Sequence, residues 1–205
     1  MRTTKARPYR MHRRAEQVDL THQRITEAAI RLHTTIGPAN TSLASVAAEA
    51  GVTRLTVYRH FPDLEALFVA CSSHWATLNP WPDTAAWQDI PDVDERARSA
   101  LRQLYGWYRE HGDDLFPIYR DIAAMPVAIQ ETIRARDATA AAALIDGHTP
   151  AGVDARRLRV VASHLVSFWT WRSLAHDESL DDPEVVELAV RFLNSAAVVR
   201  PPVSD

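Results

Sequence analysis

Apolar residues recur along this chain at three- and four-residue spacing, and no alternating strand pattern competes with the helical one. Ile25, Ala28, Ala29 and Leu32 form a first stripe that stops at Gly37-Pro38. Thr41 can cap a short second helix with Leu43, Val46, Ala47 and Ala50 facing inward, and Gly51 supplies the left-handed turn after it. Thr53 caps a third helix containing Val57 and Phe61. Pro62-Asp63 then opens a fourth with Leu64, Leu67, Phe68 and Cys71 on its inner side. Residues 1–18, polar and Arg-rich, read as a mobile arm.

Between Thr77 and Asp94, Pro80, Pro82 and Pro91 interleave with Asp83, Asp89 and Asp92, a composition that opposes both helix and central strand. A domain boundary is expected there. Beyond it the periodicity predicts helices over Asp94–His111, Asp113–Met125, Pro126–Asp146, Asp154–His176 and Pro183–Val199, with Gly112, Pro126, Gly147 and Asp181-Asp182-Pro183 between them. The tail Pro201–Asp205 should fray. The expectation is an all-α chain in three parts: an arm over 1–18, a helical head over 19–78 that includes the connecting fourth helix, and a helical bundle over 79–205.

Composition narrows the class. With 46% hydrophobic and 24% charged residues the chain is ordinary globular material. The single cysteine, Cys71, closes no intrachain disulfide, and no apolar run is longer than the six residues of Ala140–Ile145, far too short to span a membrane. A cytoplasmic protein without a membrane partner is expected. The net charge of −3 hides an asymmetry: the first 60 residues hold ten basic and four acidic side chains, a balance of +6, and the remainder stands at −9. A basic head on an acidic body implies that the head meets a polyanion.

Residues 41–61 have the chemistry for that meeting. A helix-turn-helix rests its first helix on the nucleic-acid backbone and puts the N-terminal side chains of its second at the base edges. Here Ala47 permits close helix contact, Gly51 turns the chain, and Val57 anchors the reading helix from below. Arg54, Thr56, Arg59 and His60 then face away. Arginine can pair bidentately with guanine and threonine can touch a thymine methyl. The hydroxyls of Thr53 and Tyr58 suit phosphate oxygens. With Thr41 these residues make up the candidate DNA-binding set.

The run Leu43-Ala44-Ser45-Val46-Ala47-Ala48-Glu49-Ala50-Gly51-Val52-Thr53, followed by Thr56-Val57-Tyr58-Arg59-His60-Phe61, resembles the N-terminal signature of TetR-family transcriptional regulators over residues 22–70. The resemblance implies a homodimer, each subunit presenting one helix-turn-helix, with a helical body that dimerises and binds a small molecule. It also implies pairing of the last two long helices with their symmetry mates. One position departs from the pattern: where the family commonly has a phosphate-touching lysine at the start of the fourth helix, this chain has Leu64 beside Asp63 and Glu65. More of the electrostatic attraction then falls to Arg54, Arg59, His60 and the arm residues Arg7, Arg10, Arg13 and Arg14.

In the body, Trp107, His111, Phe116, Tyr119, Met125, His164, Phe168 and Trp171 are aromatic or adaptable residues with a few polar tips, which line a small-molecule pocket or simply fill a core. The last two helices have wide apolar arcs, suited to a second layer that is either internal or a partner subunit. Glu110, His111, Asp113 and Asp114 are explained by helix capping around Gly112 rather than as a metal site. No phosphate loop, nucleophile elbow or cysteine-histidine spacing suggests catalysis, a metal or a cofactor. The reading is a non-enzymatic homodimeric repressor that binds a palindromic double-stranded DNA operator and is released by an apolar or aromatic effector. The alternative is a DNA-binding protein without an inducer, regulated through a protein partner.

Overall fold

The structure, a computed structural model, describes residues 6–147 and 155–197; in the first helix it describes side chains from Ala15 onward. All regular elements among the described residues are helical, as the periodicity requires. In chain order the α-helices are α1 (Ala6–Thr35), α2 (Leu43–Glu49), α3 (Arg54–His60), α4 (Leu64–Leu78), α5 (Thr84–Gln88), α6 (Val93–Arg120), α7 (Val127–Leu144), α8 (Ala155–Leu165), α9 (Phe168–Trp171) and α10 (Asp182–Ala197), with single 3-10 turns at Pro38–Asn40 and Ile122–Ala124. A π-helical segment, Arg172–Asp177, follows α9. The chain divides into two units, Met1–Pro80 with Phe116–Ile129, and Trp81–Leu115 with Gln130–Asp205.

In the first unit, Ile25, Ala28 and Ala29 of α1 pack with Val46, Ala47 and Ala50 of α2, Val57 of α3, and Leu67 and Cys71 of α4. The alanines decide the geometry, because small side chains let the helices approach closely. Arg24 donates from Nη2 to the carbonyl of Ala50 at 2.6 Å, pinning the end of α2 to α1. The segment 116–129, which the sequence groups with the body, also belongs to this unit. There Arg120 donates to the Ile36 carbonyl (3.0 Å), and Asp121 accepts from the Ala39 backbone N–H (3.1 Å). Gly37, at φ 92°, sits so tightly under Asp121 that a side chain at this position would overlap its carboxylate.

In the second unit, α6 buries Ala97, Leu101, Leu104, Tyr105 and Tyr108. Arg98 pairs with Glu187 (2.8 Å), and Arg109 grips the Asp182 carboxylate with two nitrogens. Arg96, 5% exposed, donates to the carbonyls of Ile90 and Asp146, so its charge is held by backbone dipoles.

Several elements differ from the sequence expectation for identifiable reasons. Residues 6–18 of the expected arm are the opening turns of α1; Pro8 falls in the first turn, where its missing N–H removes no intrahelical bond. Residues 1–5, the side chains of Arg7, Arg10, Arg13 and Arg14, and the tail Pro201–Asp205 lie outside what the structure describes. Ser42, not Thr41, caps α2, through a reciprocal capping box with Ser45. Within the proline-rich boundary, Asp83 caps the short α5 by accepting from the N–H groups of Ala85 and Ala86.

Gly112 does not end a helix: α6 runs through it to Arg120 with Pro117 inside, so Asp113 and Asp114 are exposed mid-helix residues and not caps. The helix expected over 154–176 is instead broken at Val166-Ser167. The buried hydroxyls of Tyr105 and Tyr108 donate to the carbonyls of Leu165 (2.8 Å) and Val166 (2.9 Å), and Ser167 caps α9 by accepting from Trp169. The tyrosines satisfy the carbonyls that a continuous helix would have bonded to itself.

Candidate DNA-binding surface and body aromatic cluster

The short α3 is held by one buried side chain, Val57, and by the Thr53 cap, whose hydroxyl oxygen accepts from the Thr56 N–H at 3.2 Å. One anchor on a seven-residue helix leaves the other faces to solvent. Arg54, Tyr58 and Arg59 are exposed, and His60 is half-buried at the C-terminal end. Thr56 is half-buried, and its hydroxyl lies 2.9 Å from that of Thr53, so both oxygens take part in the cap. Thr41 is half-buried and donates to the Gly37 carbonyl at 2.9 Å, which places it on the loop ahead of α2. Thus Arg54, Tyr58 and Arg59 share the open face of α3 with Thr53 at its start.

Sequence reasoning passed over Leu55. It is 59% exposed, in the first turn of α3 between Arg54 and Thr56. An apolar side chain uncovered on an otherwise polar helix is a signal, but sorting apolar residues toward the core hides it. Ser42 and Ala44, at the start of α2, are also exposed.

Beside the C-terminal end of α3 an open groove of about 470 Å³ is lined by His22, His60, Phe61, Asp63, Glu65 and the apolar face of α4 at Val69. The His22 ring lies 4.5 Å from Phe61 and 6.0 Å from His60. Desolvation, with the neighbouring His22, lowers the His60 pKa below the usual imidazole value. Asp63 caps α4 through the Ala66 N–H (2.7 Å), which accounts for an acid where it repels phosphate.

The expected ligand-facing residues are divided between the two units. Trp107, His111, Phe168 and Trp171 lie in the second unit, whereas Phe116, Tyr119 and Met125 lie in the first. Trp107 packs against His111 (4.9 Å) and Trp81 (4.7 Å), and Tyr108 bridges Trp81, Phe168 and Trp171 at 5.5 to 5.9 Å. Trp81 was not foreseen because it stands among prolines at the unit boundary. His164 is elsewhere: it is exposed on α8 with its ring 6.2 Å from Phe192 of α10. Glu110, Asp113 and Asp114 are exposed, and no group of three or more metal-ligating side chains occurs among the described residues.

Residues 25–71 match the family model described as bacterial regulatory proteins, tetR family. Over those residues the head is similar to the tetR-family regulatory domain. Comparison with curated proteins finds no match. Solved structures give the fold of the rest. A TetR-like transcriptional regulator from Rhodococcus sp. RHA1 is similar at 19% identity and TM-score 0.57, over 84% of this chain and 93% of that one. The multidrug binding protein EbrR complexed with imidazole is similar at 22% identity and TM-score 0.52, over 89% and 97%. The regulator FadR from Bacillus subtilis in complex with stearoyl-CoA is similar at 13% and 0.51, over 85% and 97%. This chain therefore has the all-helical fold of TetR-like regulators, with a head that matches the tetR-family model over residues 25–71. No helix among the described residues is long and apolar enough to cross a membrane.

Proposed function

We propose that this protein is a homodimeric transcriptional regulator that binds a palindromic operator through α3 and leaves it when a small molecule occupies the body. The observation that carries the reading is the presentation of α3: seated on Val57 alone, it offers Arg54, Tyr58 and Arg59 to solvent from a head whose sequence balance is +6. That is the arrangement by which a reading helix enters a major groove while neighbouring groups hold the backbone. Two copies related by a two-fold axis would read half-sites about 34 Å apart or somewhat more.

The partner in the dimer is a second copy, joined through α8 and α10. Val160, Leu188 and Phe192 are 61%, 46% and 46% exposed although they lie on helices whose opposite faces are fully buried. Such a patch on an otherwise ordinary surface fits an isologous helix–helix contact. Fold neighbours that bind imidazole and stearoyl-CoA support a small-molecule role for the body and leave the ligand of this chain to its own residues.

Selection from a random duplex library at moderate salt, followed by sequencing, tests the reading. An enriched inverted repeat is expected, and Arg54→Ala should weaken binding to it by about 1–3 kcal/mol while relaxing the preference at one position in each half-site. Retention that is salt-sensitive but without any enriched sequence would reject a sequence-reading dimer and favour the partner-regulated alternative.

A further inference from the structure

The second unit contains two indole donors with nowhere to go. Nε1 of Trp81 and Nε1 of Trp171 are both buried and meet no hydrogen-bond acceptor among the described residues. Trp171 as a whole is 2% exposed. Both indoles flank one ring, Tyr108, with centroids at 5.9 and 5.7 Å. Buried polar groups are nearly always paired, so a pair of donors around one aromatic ring points to acceptors that arrive with a ligand.

The π faces indicate its charge. The Arg136 guanidinium carbon lies 3.7 Å from the centroid of the Trp81 ring, so the face that would attract a cation is already covered by one. Asp137 pairs with that guanidinium at 2.8 Å and is thereby engaged, and the other acids near the cluster in sequence, Asp83, Glu110, Asp113 and Asp114, are exposed. The packing indicates its shape. Trp81 meets Trp107 and Tyr108 edge-to-face at 72°, while Trp171 is tilted on Tyr108 at 33°, and a flat ring is the shape that can make both kinds of contact. Beside the cluster α8 is broken at Ser167, and Trp171 leads into the π-helical turn that ends near Ser179, at φ 59°, so the backbone there is irregular.

We propose that the aromatic cluster around Tyr108 is the effector site, and that its ligand is a planar aromatic molecule with hydrogen-bond-acceptor oxygens, neutral or anionic. The oxygens accept from Trp81 and Trp171, and the ring system stacks among Trp107 and Tyr108. The inference rests on reading the body as ligand-binding, and it names the chemical class that the body takes.

Equilibrium dialysis of the full-length protein without DNA gives the test, with 2-naphthoate and flavone as oxygen-bearing probes and naphthalene, rhodamine 6G and palmitate as contrasts. The oxygen-bearing probes should bind at least about tenfold tighter than naphthalene, a difference of one good hydrogen bond. Trp171→Phe and Trp81→Phe keep a ring but lose the N–H, so each should weaken 2-naphthoate several-fold and leave naphthalene unchanged. Trp81 is only half-buried, which keeps one variant informative if the other misfolds. The proposal fails if both oxygen-bearing probes go unbound, if rhodamine 6G or palmitate binds more tightly, or if both variants hold 2-naphthoate like the parent. Because dialysis involves no operator, a probe that binds yet does not release DNA would reject the release mechanism and leave the ligand class standing.

Discussion

His33 lies inside the head with 4% of its surface exposed, stacked on Phe68 at 4.4 Å with Nδ1 3.6 Å from the Cys71 sulfur. Its Nε2 meets no partner among the described residues. Burial holds its pKa down at about 4 and pushes the Cys71 thiol up to about 12, so both are neutral at physiological pH. Neutral His33 in the folded state means that the unfolded chain binds the extra proton below its ordinary value of 6.5. Stability is therefore full above pH 6.5, declines through the interval down to pH 4, and is lower by about 3 kcal/mol at the bottom of it. Urea titrations across that interval should show the decline, and His33→Leu should flatten it. An unchanged slope in the variant would mean that another group carries the acid sensitivity. The burial of His33 was legible: it falls four residues after Ala29 and eight after Ile25, on the inward stripe of α1. The exposure of Leu55 was not, because a one-anchor helix has no periodicity long enough to show which apolar residue is left out.

At the scale of elements, helix existence was legible from periodicity, and helix ends were legible only where local chemistry decides them. Thr53 is a cap in sequence and in structure, and the Pro62-Asp63 start holds, with Asp63 as the cap of α4. Gly112 reads as a stop yet lies inside α6, since what it accommodates is not a turn but the Trp171 indole: a Cβ there would fall 2.6 Å from Cη2 of that ring. Gly106, six residues earlier in the same helix, is exposed and would offer an added Cβ nothing within 4 Å. The two glycines look alike in sequence and should behave oppositely. Gly106→Ala should stabilise by about 0.5–1 kcal/mol through helix propensity and a less free unfolded chain. Gly112→Ala should destabilise by about 1–3 kcal/mol, because the indole must leave a packed position. Thermal unfolding of both variants decides it; equal shifts would show that the Trp171 contact imposes no constraint. The break at Ser167 was invisible for a related reason, since the tyrosines that satisfy its carbonyls lie about 60 residues away in sequence.

For the whole molecule the wide apolar arcs of the last two long helices leave open whether an internal layer or a second subunit covers them, and the structure narrows the choice. Val185, Val186, Ala189, Val190, Leu193 and Ala196 of α10 are buried within the chain, whereas Leu188 and Phe192 stay nearly half exposed beside Val160 of α8. No internal element among the described residues covers that second stripe. In an isologous dimer each residue near the two-fold axis faces its own counterpart or a near neighbour, so one new charge per chain is met by an identical charge. Leu188→Glu combined with Phe192→Glu should therefore separate the copies without unfolding either, because neither side chain is among the fully buried residues of its own chain and each can turn its carboxylate to solvent. Sedimentation equilibrium should give half the parent mass with an unchanged helical circular dichroism spectrum. Operator affinity should then fall by at least about 10²-fold, since two tethered heads gain from effective concentration that one head lacks. Parent and variant of equal mass would place the dimer elsewhere, and a monomeric variant that binds the inverted repeat as well as the parent would show that the heads read their half-sites independently.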